Sequence, residues 1–305
     1  MKQDVVASFF KKKTSKHTNC AIRLSHVVSE LLGATLYDPD DGIDYAALGV
    51  GTLFLVNMPF YCSFTRKIVE MASVADRVVF IGDDYKSKMP LHIQQAAERA
   101  GVPVYHWMTI PERCTSLGDA YINWNLNTFQ PEPLVEVHEP TILYWGTCRD
   151  GRIPYFQKYF VPEGPELPYQ MHLSVHPASR PRYKLVGNMD IKFVMPFYDI
   201  KELQEYGATL YIQDTRHLTE YGSPANRFYE ALAAGLAIFF DESCIGTFET
   251  AGYDITPYVV RNQTELGEAV KDFDRVRKEQ RLLWGQTDYR GQLKDSLRRA
   301  YSSLP

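Results

Sequence analysis

The stretch "SPANRFYEALAAG" (Ser223–Gly235) sets an arginine, then a glutamate three positions later, at the head of an otherwise apolar helical pattern. Pro224 suits a first helical turn, and Ser223 or Asn226 can cap it. Free N–H groups and the positive end of the helix dipole then make an anion site, to which Arg227 adds charge. Glu230, one turn in, can accept two hydrogen bonds from a vicinal diol such as a ribose. The plainer alternative is an acid favoured by the dipole and nothing more. Ala231, Ala233, Ala234 and Gly235 let this helix pack close to its neighbours.

Three other loops follow strand-like runs. In "YWGTCRDGR" (Tyr144–Arg152), Gly146 allows close backbone approach, and Arg149 and Arg152 match the geometry of a diphosphate. A glycine turn with two surface arginines is the alternative. In "IGDDYKSKMP" (Ile81–Pro90), Asp84, with Asp83 as its rival, can orient or deprotonate an acceptor hydroxyl; an Asp-rich turn capping the next helix is equally consistent. "SVHPASRPR" (Ser174–Arg182) adds Ser174 and more arginine, for base stacking or phosphate. "DPDD" (Asp38–Asp41) reads as a plain turn, and no metal site is expected.

The 305 residues suffice for two domains, and 45% apolar with 23% charged residues is a globular composition. A net charge of −4 gives no global field towards nucleic acid or anionic lipid. The local exception is "FFKKKTSKH" (Phe9–His17), where Lys11 to Lys16 holds four lysines in six residues. It is either a solvated arm or a phosphate-contacting loop. Five scattered cysteines form no CxxC pair, which argues against a disulfide framework or a zinc site. There is no membrane-length apolar run and no signal-peptide core, so a cytoplasmic protein is expected. The absence of GxGxxG disfavours a dinucleotide dehydrogenase.

What must position these loops is a series of alternating elements. "TLFLVN" (Thr52–Asn57), "RVVFIG" (Arg77–Gly82) and "VPVYHW" (Val102–Trp107) read as strands buried on both faces. Cys20–Gly33, Phe64–Ala75 and Leu91–Gly101 read as amphipathic helices between strands. The proline-rich Phe129–Pro140 predicts an extended linker. Alternation then resumes through "TILYWG", "YQMHLSV", "IKFVMPF", "ATLYIQD", "LAIFFD" and "PYVVR", and from Thr264 the chain is polar and helical. The pattern predicts an α/β protein with parallel sheets, whose ligands bind beyond the carboxyl ends of the strands.

Together these residues resemble the GT-B class of nucleotide-sugar glycosyltransferases, including small phage-encoded members. "EALAAG" is similar to the EAxAxG of retaining enzymes, where the glutamate holds the nucleotide ribose. "YWGTCRDGR" stands where those enzymes have a glycine-and-basic loop on the donor diphosphate. The resemblance implies two Rossmann-like domains facing across a cleft, with a C-terminal helical tail. Residues 1–133 would be the acceptor side and 134–265 the donor side, with 266–305 crossing back to the first domain. It also implies a hexosyl- or pentosyltransferase with no tightly bound cofactor and a nucleotide-diphosphate sugar, read as a UDP-sugar, as donor substrate. Gly146, Arg149, Arg152, Ser174, Ser223, Asn226, Arg227 and Glu230 would hold that donor, and Asp84 or Asp83 would serve catalysis.

Two features depart from the class. Gly222 stands where its first glutamate would be, which passes that role to Glu220 or to the backbone of Gly222 and Ser223. The lysine-rich segment replaces the usual Gly-Gly loop of the first domain. A basic loop suits a polyanion, so a hydroxymethylated pyrimidine in phage DNA, met in a host cytoplasm, is one acceptor reading. A glycan, a lipid-linked acceptor, or a non-catalytic nucleotide-sugar-binding module are the alternatives.

Overall fold

The computed structural model describes residues 2–7, 20–37, 42–56, 65–82, 88–108, 114–122, 131–146, 148–213, 224–285 and 288–305. Its contacts divide the chain into two units, Met1–Phe129 with Asp288–Pro305, and Gln130–Thr287.

In the first unit the strands are β1 (Gln3–Ala7), β2 (Thr35–Leu36), β3 (Val50–Val56), β4 (Arg77–Gly82), β5 (Val104–Met108) and β6 (Ala120–Tyr121). They form one parallel sheet in the order β2-β1-β3-β4-β5-β6. The helices are α1 (Cys20–Leu32), α2 (Tyr45–Leu48), α3 (Thr65–Val74) and α4 (Leu91–Arg99). Successive residues of a strand point to opposite faces, and here both faces are buried. Val5, Leu53, Leu55, Val78 and Phe80 join one core with Ile68 and Met71 of α3 and Ile93 of α4. Their neighbours Val6, Phe54, Val56, Val79 and Ile81 join another, with Leu24, Val27 and Val28 of α1. The runs Thr52–Asn57, Arg77–Gly82 and Val102–Trp107 are β3, β4 and β5, whereas β1, second in the order, lies outside the expected strands.

The second unit has β7 (Thr141–Trp145), β8 (Met171–Ser174), β9 (Lys192–Val194), β10 (Gly207–Tyr211), β11 (Ala237–Asp241) and β12 (Val259–Val260). These too are parallel, in the order β12-β11-β10-β7-β8-β9. Its helices are α5 (Ile153–Phe160), α6 (Asn226–Ala234), α7 (Ile245–Thr250), α8 (Gln263–Lys271) and α9 (Phe273–Trp284). The proline-rich segment is irregular, but it is fastened to this unit. Glu132 N–H donates to the Ala233 carbonyl at 2.8 Å, and the Pro133 carbonyl accepts from Gln204 at 2.7 Å.

The two-residue β12 pairs only with Phe240 and Asp241, so it leaves the edge of β11 open at Ile238. Fully buried Gln280 of α9 closes that edge, accepting from Ile238 N–H at 2.9 Å and donating to its carbonyl at 2.7 Å. This contact keeps α9 with the second unit. Only the last helix, α10 (Tyr289–Ser302), belongs to the first, burying Leu293, Leu297 and Ala300 in the α1 core. Gln280→Leu is expected to lower stability by about 2–4 kcal/mol, because a buried N–H and C=O each lose their partner. Urea unfolding checks this; a loss under about 0.5 kcal/mol would mean the strand edge is satisfied some other way.

Candidate functional site

In the second unit, the carboxyl end of β7 and the first turns of α6 bring the sequence-predicted donor residues together. α6 is turned by its own period. Phe228 packs into an aromatic core, with ring centroids 4.9 Å from Phe248, 5.0 Å from Tyr253 and 5.6 Å from Trp284. Arg227 and Glu230, three residues apart, share the face towards β7. The helix stops at Gly235, whose φ of 76° is left-handed, and a Cβ there would collide with the Leu134 side chain.

Arg227 is held from four sides. Its Nη1 donates to the Trp145 carbonyl at 3.2 Å and its Nη2 to the Ile212 carbonyl at 2.8 Å. The guanidinium carbon lies 4.7 Å from the Tyr144 ring centroid and 5.4 Å from that of Tyr211. Burial disfavours its charge, but Tyr144, Tyr211 and Glu230 outweigh this and raise its pKa above the ordinary arginine value. Arg152, only 4% exposed, comes to the same place. A Cβ on Gly146 would lie 3.3 Å from Arg152 Nη1 and 3.4 Å from Arg227 Nη1, and Gly146 itself has a φ of 149°. The glycine is therefore required by its backbone and by the two guanidiniums crowding it.

Glu230 is 4% exposed, and its Oε2 accepts a hydrogen bond from Trp145 Nε1 at 2.7 Å. Tyr183 donates from its hydroxyl to the Gly146 carbonyl at 2.6 Å, fixing the loop from the other side. Burial raises the pKa of both Tyr183 and Tyr211, so these phenols stay neutral. Cys148 is raised by burial as well, against the pull of Arg182, and is no ready thiolate.

The remaining expectations fare differently. Arg149 is exposed, and its carbonyl takes the Arg152 N–H at 2.8 Å. Ser174, paired with Trp145 across the ladder, spends its hydroxyl on the Met195 carbonyl at 3.1 Å. The expected cap is corrected: Asn226 is the first helical residue, and the capping position is Ala225, with no side-chain cap bond. Instead the Ala225 N–H donates to the Tyr211 hydroxyl at 2.7 Å, so β10 anchors the helix start. Ser223, Glu220, Gly222, Asp83, Asp84 and the Lys11–Lys16 segment lie outside the described residues. Sequence reading missed Trp145 and Tyr183, whose partners are distant in the chain; Trp145 directly before the glycine of the basic loop was the one available signal.

No helix among the described residues is long and apolar enough to cross a membrane. No protein-family model matches the sequence, and no curated protein matches it. Solved structures do. A T4 phage BGT variant in complex with UDP-glucose superimposes with a TM-score of 0.68 at 14% identity, covering 98% of this chain and 99% of that one. The DNA modifying enzyme beta-glucosyltransferase, determined with and without uridine diphosphoglucose, gives 0.64 at 15% identity, over 98% and 100%. A putative UDP-N-acetylglucosamine 2-epimerase from Listeria monocytogenes gives 0.50 at 10%, over 99% and 95%. With two parallel six-stranded sheets among the described residues, each flanked by helices, and these neighbours along nearly its whole length, the chain has the two-domain GT-B fold.

Proposed function

We propose that this protein is a glycosyltransferase that moves a sugar from a UDP-sugar to a hydroxyl on hydroxymethylated pyrimidine in phage DNA. The observation that carries the donor half is the convergence of Arg152 and Arg227 on Gly146, with Glu230 on the same face of α6. Two guanidiniums and an uncapped helix start suit a departing diphosphate, and a carboxylate one turn further suits the ribose diol. Charge develops on the diphosphate as the bond to the sugar breaks, and fixed cations that need no reorganisation stabilise it. Neighbours of the same fold carry UDP-glucose, which favours this donor.

The acceptor half rests on sequence and on the neighbour described as a DNA modifying enzyme. In the reaction, the acceptor oxygen bonds to the anomeric carbon while the bond from that carbon to the diphosphate oxygen breaks. The hydroxyl proton passes to a carboxylate, for which Asp84 is the first choice and Asp83 the second. In the sequence both come directly after β4, and the lysine segment comes after β1.

The test is to incubate the protein with a panel of nucleotide-sugars, with and without hydroxymethylated DNA, and to measure released nucleoside diphosphate. Release of UDP that depends on the modified DNA is the expected result. Release that depends instead on a glycan or lipid-linked acceptor would replace the DNA reading. Isomerised nucleotide-sugar without any acceptor would mean an epimerase, and binding without turnover a non-catalytic module.

A further inference from the structure

Trp145 touches both charged residues that α6 contributes to the site. Its backbone carbonyl accepts from Arg227 at 3.2 Å, and its indole N–H donates to Glu230 Oε2 at 2.7 Å. The two contacts differ in kind. Any residue at this position of β7 offers a carbonyl to Arg227, whereas only a side chain with a donor at the reach of an indole nitrogen can hold Glu230. A donor bonded to a carboxylate is strong and directional, and at 4% exposure water competes for it little. A carboxylate has about four lone-pair sites, and the indole bond takes one of them while restraining the plane of the group.

We infer that Trp145 is a specificity-determining positioning residue: its indole N–H sets the Glu230 carboxylate in the orientation that receives a ribose 2′,3′-diol. This rests on the donor reading proposed above and deepens it. An unheld glutamate on this helix would have three side-chain torsions to settle when ligand arrives, and the cost would fall on the geometry-dependent pair of bonds to the diol. Fixed beforehand by the indole, the carboxylate favours a sugar with both hydroxyls over one lacking the 2′-hydroxyl. Trp145 closes β7, immediately before the Gly146 on which the two guanidiniums converge, so the same strand end serves the diphosphate and the ribose.

Calorimetry with UDP and 2′-deoxy-UDP on wild type, Trp145→Phe, Glu230→Ala and the double variant tests this. Phenylalanine keeps the ring and the backbone carbonyl and removes only the N–H. Wild type is expected to prefer UDP by roughly tenfold or more, since a hydrogen bond to a charged group separates the two ligands. Trp145→Phe should lose most of that preference, Glu230→Ala should lose all of it, and the double variant should match Glu230→Ala. A structural role alone would weaken both ligands equally and leave their ratio unchanged. Full preference in Trp145→Phe, with none in Glu230→Ala, overturns this inference and leaves the donor reading standing. A wild type that binds neither nucleotide, or both equally, overturns the ribose reading and this inference with it. Should Trp145→Phe not fold, Trp145→Leu also lacks any side-chain donor and is held to the same outcomes.

Discussion

Arg227→Ala is expected to show the largest loss of any single substitution in the second unit. Removing one charge-assisted contact to the diphosphate costs about 1.5–3 kcal/mol, or roughly 10–150-fold in affinity for UDP. The fold suffers too. The Trp145 and Ile212 carbonyls lose the donors that approach at 3.2 and 2.8 Å, and Tyr144 and Tyr211 lose the cation between their rings. Each buried acceptor left unsatisfied costs about 1–3 kcal/mol. Arg227→Lys separates the two effects: it keeps the positive charge but not the planar fork that spans two carbonyls and stacks on the rings. Thermal unfolding and calorimetry with UDP should both rank wild type above lysine and lysine above alanine. Unchanged UDP affinity in a folded alanine variant would remove Arg227 from the donor site and leave it as a strut between β7, β10 and α6.

Glu230→Ala carries the second large effect. A carboxylate that is merely favoured by the helix dipole contributes at most about 1 kcal/mol to stability, and binding would not notice its removal. One that grips the ribose with charge-assisted bonds contributes about 1.5–3 kcal/mol to donor binding, again roughly 10–150-fold. The site geometry favours the second. At 4% exposure, with an indole N–H 2.7 Å from Oε2, this is not a solvated first-turn acid. Donor affinity measured by calorimetry should fall with little change in unfolding temperature beyond the lost indole bond. An intact affinity for UDP would return Glu230 to a packing role beside Trp145. Glu230→Gln provides the finer comparison, since it keeps an acceptor for the indole while removing the charge.

Local pattern made much of this legible before any coordinates. Near-continuous runs such as "TLFLVN" and "RVVFIG" could only be strands buried on both sides, and the two cores fed by alternate residues of β3 and β4 are the direct consequence. The three-residue step from Arg227 to Glu230 placed both on one helix face, and Gly235 marked where that helix had to stop. These are features of period and of single-residue backbone preference, which a sequence carries locally. β1 escaped because Gln3 and Asp4 take two of its five positions, which leaves only Val5, Val6 and Ala7 as an apolar run.

What the tertiary structure decided are the choices between chemically equal residues and between distant partners. Arg149 and Arg152 read alike in sequence, yet the short 3-10 turn over Asp150–Arg152 leaves the first exposed and buries the second beside Gly146. The start of α6 lacks the side-chain cap that Asn226 could have supplied, because the capping position falls on Ala225 and Asn226 is already the first helical residue. The tail divided at residue 288 because Gln280 completes an open strand edge, while Leu293 and Leu297 complete an apolar face. Trp145 and Glu230 stand 85 residues apart, and no period links them. Such contacts depend on which surfaces are left unsatisfied when strands and helices assemble, and that is a property of the packed fold.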